Sequence, residues 1–300
     1  MPSKIKIVTD STAQFSDPSL IARCDITVLP LSIHWRGRTY QEGVDLDPVD
    51  FLAQLNRHDA LPELLPPSLE TFQTAYSRLA RQTDRILSIH LSHAMHSTGQ
   101  IARAATHSLL GRCNIAVIDS KSIGLGLGLI VEEAARLAEV CDSLDELVRL
   151  LRKQIAHLYA IFAVERLAYP QRHGLLSRSQ RLLGEMLGIQ PILTIEEGEL
   201  LAMEKVRSPA QSIDKFIEFM LEFTNVDRLL LLQSAPQPTE HSLALIERLN
   251  LEFAQRSYPI GIYQPSLACY LGPNASGIMV YESPHSIERQ RNPREVEEQE

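Results

Sequence analysis

Three polar clusters carry the residue types that bind or transform small anions: Thr9-Asp10-Ser11-Thr12, Ser92-His93-Ala94-Met95-His96-Ser97-Thr98 and Asp119-Ser120-Lys121-Ser122. Each supplies short hydroxyls and backbone N–H groups, and the second and third directly precede helical patterns, so their helix N-termini favour a carboxylate or a similar anion. The plainer role for any one of these residues is to cap a helix or a turn. The candidate ligand set is Asp10, Ser11, Thr12, Ser92, His96, Ser97, Thr98, Asp119 and Ser120, joined by Tyr270 and Gly272 in the later Tyr-Leu-Gly-Pro stretch. His96 is the residue here whose charge changes near neutral pH, so it could donate to an anion or, with Tyr270, work as an acid–base pair on a small substrate. His90, His93 and His96 recur every three residues, but His90 falls inside a strand, so the three rings should diverge rather than share a metal.

Familiar catalytic signatures are missing. The chain has no Gly-x-Ser-x-Gly elbow, no phosphate loop ending in Gly-Lys-Ser/Thr and no Gly-x-Gly-x-x-Gly after the first strand. Gly124-x-Gly126-x-Gly128 lacks the spacing of a dinucleotide loop and reads as close helix packing. Cys24, Cys113, Cys141 and Cys269 are scattered without a Cys-x-x-Cys pair, as expected of reduced, buried thiols. The 29 Lys and Arg against 37 Asp and Glu give a net charge of −8, which argues against general nucleic-acid binding. The longest apolar stretch, Ile123 to Val131, is far shorter than the roughly 20 residues that span a bilayer. The sequence is therefore expected to be cytoplasmic, with no integral membrane segment.

The polar clusters must be positioned by the elements around them. Lys4–Asp10, Asp25–Trp35, Arg85–Ser92 and Asn114–Ser120 read as strands rich in Ile, Val and Leu. They alternate with helical patterns opened by Asp47-Pro48, Ser68, Thr98 and Gly124, and by a Ser143/Glu146 capping box. Alternation of this kind specifies a parallel sheet covered by helices, and open parallel sheets bind ligands beyond the carboxyl ends of their strands. Past residue 160 the pattern changes. A strand over 160–165 and a short helix over 179–187 precede two strands within 189–206, joined at Glu196-Glu197-Gly198-Glu199, a hairpin signal foreign to a simple β-α-β series. Helices opened by Ser208-Pro209 and Thr239 and strands over 228–234, 259–264 and 278–282 complete the chain. The expected fold class is α/β: an α/β/α domain with a parallel sheet over 1–160 and an α+β domain with a mixed sheet over 161–283. Residues 284–300, with five Glu against three Arg, are expected to be a disordered acidic tail.

With these elements in order, the chain resembles the DegV family of fatty-acid-binding proteins, whose architecture is called the EDD fold. The carrying segments are Ile7-Val8-Thr9-Asp10-Ser11-Thr12, Val28-Leu29-Pro30-Leu31, Tyr40-x-Glu42-Gly43-x-Asp45-Leu46, Pro67-Ser68, Ile89-His90-Leu91-Ser92, Thr98-x-Gln100-x-Ala102, Ile118-Asp119-Ser120-Lys121, Ile189-Gln190-Pro191-Ile192-Leu193, Lys205-Val206-Arg207 and Leu271-Gly272-Pro273. The resemblance implies a long-chain fatty acid held between two domains, with no cofactor and no catalysis by this chain. It also implies presentation of the head group to a separate kinase subunit, with Arg207 on the docking surface. The departures fall on the head-group motifs: Leu64 stands where the family has threonine, His96 where it has serine and Tyr270 where it has histidine, and the family's Gly-Gly-Arg-Ile segment reads His173-Gly174-Leu175-Leu176. Leu64 cannot hydrogen-bond through its side chain, whereas His96 and Tyr270 can. The alternative is a small-molecule enzyme or binder with a pocket built around His96 and Tyr270.

Overall fold

A computed structural model describes residues 5–253 and 258–282 of the chain. The first half runs β1 (Lys6–Asp10), α1 (Ser19–Arg23), β2 (Thr27–Leu29), β3 (Ser32–Trp35), β4 (Arg38–Gln41), α2 (Pro48–Arg57), β5 (Glu63–Leu65), α3 (Leu69–Leu79), β6 (Arg85–His90), α4 (Thr98–Thr106), β7 (Asn114–Asp119), α5 (Leu125–Leu137) and α6 (Leu144–Ile155). The second runs β8 (Leu158–Ala163), α7 (Ala168–Arg172), α8 (Arg178–Met186), β9 (Gln190–Glu196), β10 (Glu199–Val206), α9 (Pro209–Leu221), β11 (Arg228–Gln233), α10 (Glu240–Glu252), β12 (Ile260–Ile262), α11 (Pro265–Leu271) and β13 (Ser276–Tyr281). The fold class is mixed α/β. A four-stranded parallel sheet has the order β2-β1-β6-β7, and a separate six-stranded mixed sheet has the order β10-β9-β8-β13-β11-β12. The tail over 284–300 lies outside the described residues.

Local chemistry sets the element ends. Asp47, Ser68, Ser143, Ser177, Ser208 and Thr239 each accept a backbone N–H in the first turn of the helix they open. The Ser143 box is only half made, because the Glu146 carboxylate reaches the N–H of Asp142 instead of that of the cap. The β9–β10 hairpin turns at Glu197 and Gly198, both left-handed, with φ of 50° and 89°. This is the geometry a two-residue hairpin demands.

One expected strand is in fact two. The run from Asp25 to Trp35 breaks at Pro30, which has no N–H to give a ladder. The part before the break, β2, pairs with β1, while β3 turns away and joins an antiparallel sheet of order β4-β3-β5. Tyr270 lies in α11, a helix that the sequence pattern does not mark. All seven residues of that helix are buried, so no amphipathic period marks it. Although α11 stands late in the sequence, it packs on α2, β5 and α7, and its Leu267 to Leu271 share one apolar core with Ile7, Ile33 and Leu129.

The glycine run of α5 is close packing, as its spacing suggests. A Cβ on Gly128 would lie 1.8 Å from the Gln14 carbonyl oxygen, and one on Gly126 2.1 Å from Ser122 Oγ. The obstacle at Gly128 is backbone, which has no rotamer to escape into. Gly128→Ala is therefore expected to cost about 3 kcal/mol, the upper part of the overpacking range. Urea unfolding measures this, and a loss of less than about 0.5 kcal/mol would contradict the packing described.

Candidate functional site

The carboxyl ends of β1, β6 and β7 do meet, and most of their polar groups are spent on one another. Asp10 is fully buried and its carboxylate accepts four hydrogen bonds, from Thr12 N–H and Oγ1–H, from Leu91 N–H and from His90 Nδ1 at 2.9 Å. Behind it the chain continues from His90 Nε2 to Ser88 Oγ at 2.7 Å, and Tyr76 donates its hydroxyl to Ser88 at 2.8 Å. A neutral imidazole with its proton on Nδ1 satisfies every donor and acceptor in that row. Asp119 braces the same loop, accepting from His93 N–H and Lys121 N–H and meeting His93 Nδ1 at 2.9 Å. Ser92 donates to the Gly198 carbonyl at 2.6 Å, so the tip of the β9–β10 hairpin sits on this loop, and Lys121 pairs with Glu197 beside it. Ser120 is buried and bonded within its own turn, to Ser122 O and from Ser122 N–H.

The three histidines of the periodic motif thus reach three different partners. His90 faces Asp10 and His93 faces Asp119, while His96 lies at the front of the loop. His96 Nε2–H donates to the Leu64 carbonyl at 3.2 Å, and its Nδ1 accepts from Thr98 Oγ1 at 2.8 Å. Burial holds this imidazole below its ordinary pKa, against the opposing effects of the Leu64 carbonyl and the Asp10 charge. Ser97, next in sequence, is exposed and makes no capping bond.

Tyr270 closes the other side. It is 3% exposed and donates its hydroxyl to the Met95 carbonyl at 3.0 Å. Its ring stacks on His173 with centroids 4.4 Å apart, and His173 Nε2 is 3.0 Å from the Cys269 carbonyl. The resulting polar cluster joins Leu64, Met95, His96, Thr98, His173 and Tyr270 from four separate parts of the chain. His96 and Tyr270 each spend their polar atoms on backbone or on Thr98, and no hydrogen bond joins the two. Gly272 ends α11 with φ of 84°, its N–H given to Ala268 and its carbonyl taken by Tyr263, under the ring of Tyr169.

Three residues beyond His173, Leu176 lines a cavity of about 290 Å³. Leu167, Leu183, Leu187, Ile189 and Met203 line it too, so its wall is mostly aliphatic and is built from α8 and the β9–β10 hairpin. Between the two, Leu175 packs against the larger apolar core. Two buried polar features have no signal in sequence spacing: the Asp10–His90 pairing, and Glu42, which is 2% exposed and touches Ser11 and Ser266.

The site sits in a fold with known relatives. The family model described as DegV, a family of uncharacterised proteins, matches residues 4–283. A DegV domain-containing protein of Caldanaerobacter subterraneus is 35% identical over 217 residues, covering 72% of this chain and 76% of its own. The crystal structure of DegV from Bacillus subtilis, described as a fatty acid binding protein, superposes with a TM-score of 0.78 at 26% identity, covering 93% of this chain and all of that one. A Thermus thermophilus DegV family protein described by its fatty acid binding superposes at 0.79 with 24% identity, again over 93% of this chain and all of its own. The fold and the ordered motifs define a mixed α/β protein of the DegV class. This chain belongs to the DegV family.

The neutral state of His96 has a measurable consequence. Because burial lowers its folded-state pKa below the ordinary value of 6.5, the stability it confers is complete above that value. That stability is lost as the pH falls through the lowered one. The stability difference between the native protein and His96→Gln should therefore shrink from about pH 7.5 to about pH 5. Paired thermal melts measure it, and a difference that does not vary with pH would contradict a buried neutral imidazole.

Proposed function

We propose that this protein binds a long-chain fatty acid, or a closely similar amphipathic lipid, and presents its head group without itself catalysing a reaction. The observation that carries the reading is a short chain segment that links a polar cluster to an aliphatic cavity. The polar cluster of His96, Thr98 and Tyr270 meets His173, and the segment from His173 to Leu176 leads from there to the aliphatic cavity under α8. A carboxyl group with an acyl tail is the simplest ligand that uses both. Each buried CH₂ contributes about 0.8 kcal/mol, so an apolar channel holds such a ligand with few polar contacts. The fatty acid binding stated for the Bacillus subtilis structure supports the same ligand class.

The head group must break bonds already present, since His96 and Tyr270 are both satisfied within the protein. Entry exchanges the His96–Leu64 or the Tyr270–Met95 bond for one to the ligand, and neither exchange leaves a donor unpaired. Leu64 offers only its carbonyl, so the head-group contacts differ from a threonine-based arrangement. Asp10, Ser11, Thr12, Ser92, Asp119 and Ser120 support this cluster by fixing the loops behind it. Arg207, exposed at the end of β10 with its N–H on Gln211, is proposed as a docking residue for a kinase subunit that would act on the presented carboxylate.

Native mass spectrometry of protein purified from cells, followed by lipid extraction, should reveal an acyl chain of roughly a dozen or more carbons. Failure to bind any fatty acid at saturating supply would refute the reading. Arg207→Ala should leave lipid affinity and fold stability unchanged and lower kinase-dependent acyl phosphate formation. Loss of lipid binding in that variant would move Arg207 into the pocket.

A further inference from the structure

Glu42 belongs to none of the contacts invoked for the ligand, yet it is almost completely buried and ties two distant parts of the chain. Its Oε2 accepts from Ser11 Oγ at 2.7 Å, and its Oε1 accepts from Ser266 N–H, also at 2.7 Å. Ser11 in turn accepts from Leu31 N–H, so the bond to Glu42 also fixes the residue after Asp10. Ser266 lies in the first turn of α11, and Tyr270, four residues on, shares its face of the helix. Anchoring Ser266 therefore anchors Tyr270 against Met95.

The charge at this place is one-sided. From β1, Asp10 faces Glu42; from α11, Cys269 does; and its own loop adds the exposed Asp45. Among the described residues no lysine or arginine pairs with it. Burial, reinforced by Asp10 and opposed by the Ser11 and Ser266 bonds, pushes its carboxyl up to about 7. Ser266 Oγ is itself buried, completes no hydrogen bond, and lies where it favours the charged form of Glu42.

We infer that Glu42 is a positioning residue for the head-group cluster, holding α11 and Tyr270 in place, and that it takes up one proton when an anionic head group enters near Asp10. This rests on the fatty-acid reading. A third carboxylate in a poorly solvated space already holding Asp10 and Glu42 is relieved when one of them is neutralised. Asp10 has four donors to hold its charge and Glu42 has two, so the proton goes to Glu42. It comes from solvent, bonds to Oε1 and points to Ser266 Oγ, while Oε2 keeps its bond from Ser11. Above about pH 7 affinity should then fall by up to tenfold per pH unit, the limit for one linked proton.

Titration calorimetry with hexadecanoate, in buffers of different ionisation heat, counts the protons. The native protein should take up close to one proton per ligand at about pH 8 and almost none at about pH 5.5, where Glu42 is already neutral. Glu42→Gln should abolish the uptake and bind at all pH values with the affinity the native protein shows on the acidic side. Uptake that persists in Glu42→Gln would place the proton elsewhere, on the ligand or on His96, and overturn the inference, as would no uptake by the native protein. No binding at any pH would instead overturn the fatty-acid reading.

Discussion

Among the described residues no lysine or arginine pairs with the buried Asp10, and such a carboxylate is tolerable only when its surroundings supply donors, as here with four hydrogen bonds. Those donors come from the turn after β1 and from the end of β6, so satisfying one charge fixes two loops at once. His90 carries the requirement further, through Ser88 to Tyr76 on α3. The loop that presents His96 starts two residues past His90 and inherits this rigidity. Removing the Asp10 charge would free the loop, whereas removing His90 would leave a buried anion one donor short.

The two main sheets are joined by packing as much as by polar ties. The hairpin tip on Ser92, the Gln14 side chain on the Ile262 carbonyl, and α11 on α2 and β5 each cross from one half of the sequence to the other. One apolar core runs through both halves, from Ile7 and Leu87 to Leu193 and Met279. A head group that entered between such elements would displace contacts that already exist, so the apolar tail attached to it would have to contribute more than the contacts broken.

Much of this was legible in the sequence because it is local. The caps at Asp47, Ser68, Ser208 and Thr239 stand where their residue types indicate, and the Glu197-Gly198 turn follows from its composition. The small β4-β3-β5 sheet was not legible, since Arg36-Gly37 is a weak hairpin signal and β5 has only three residues. α11 carries no periodic signal, because burial on all sides erases helical periodicity. Within the candidate site, His96 and Tyr270 were recognisable as polar residues in motif positions, but their pairing with Leu64 and Met95 spans 32 and 175 residues. The ties of Glu42 span 31 and 224 residues, and no spacing rule reaches that far.

The central claim is that a carboxyl head group occupies the cluster of His96, Thr98 and Tyr270 with its chain directed into apolar space. Hexadecanoate labelled with carbon-13 at its carboxyl group reports on this directly by NMR. The account predicts one bound carboxyl resonance, distinct from free ligand, that shifts in both His96→Gln and Tyr270→Phe and is unmoved by Ser234→Ala in the second sheet's loops. A bound resonance indifferent to His96 and Tyr270 would contradict it.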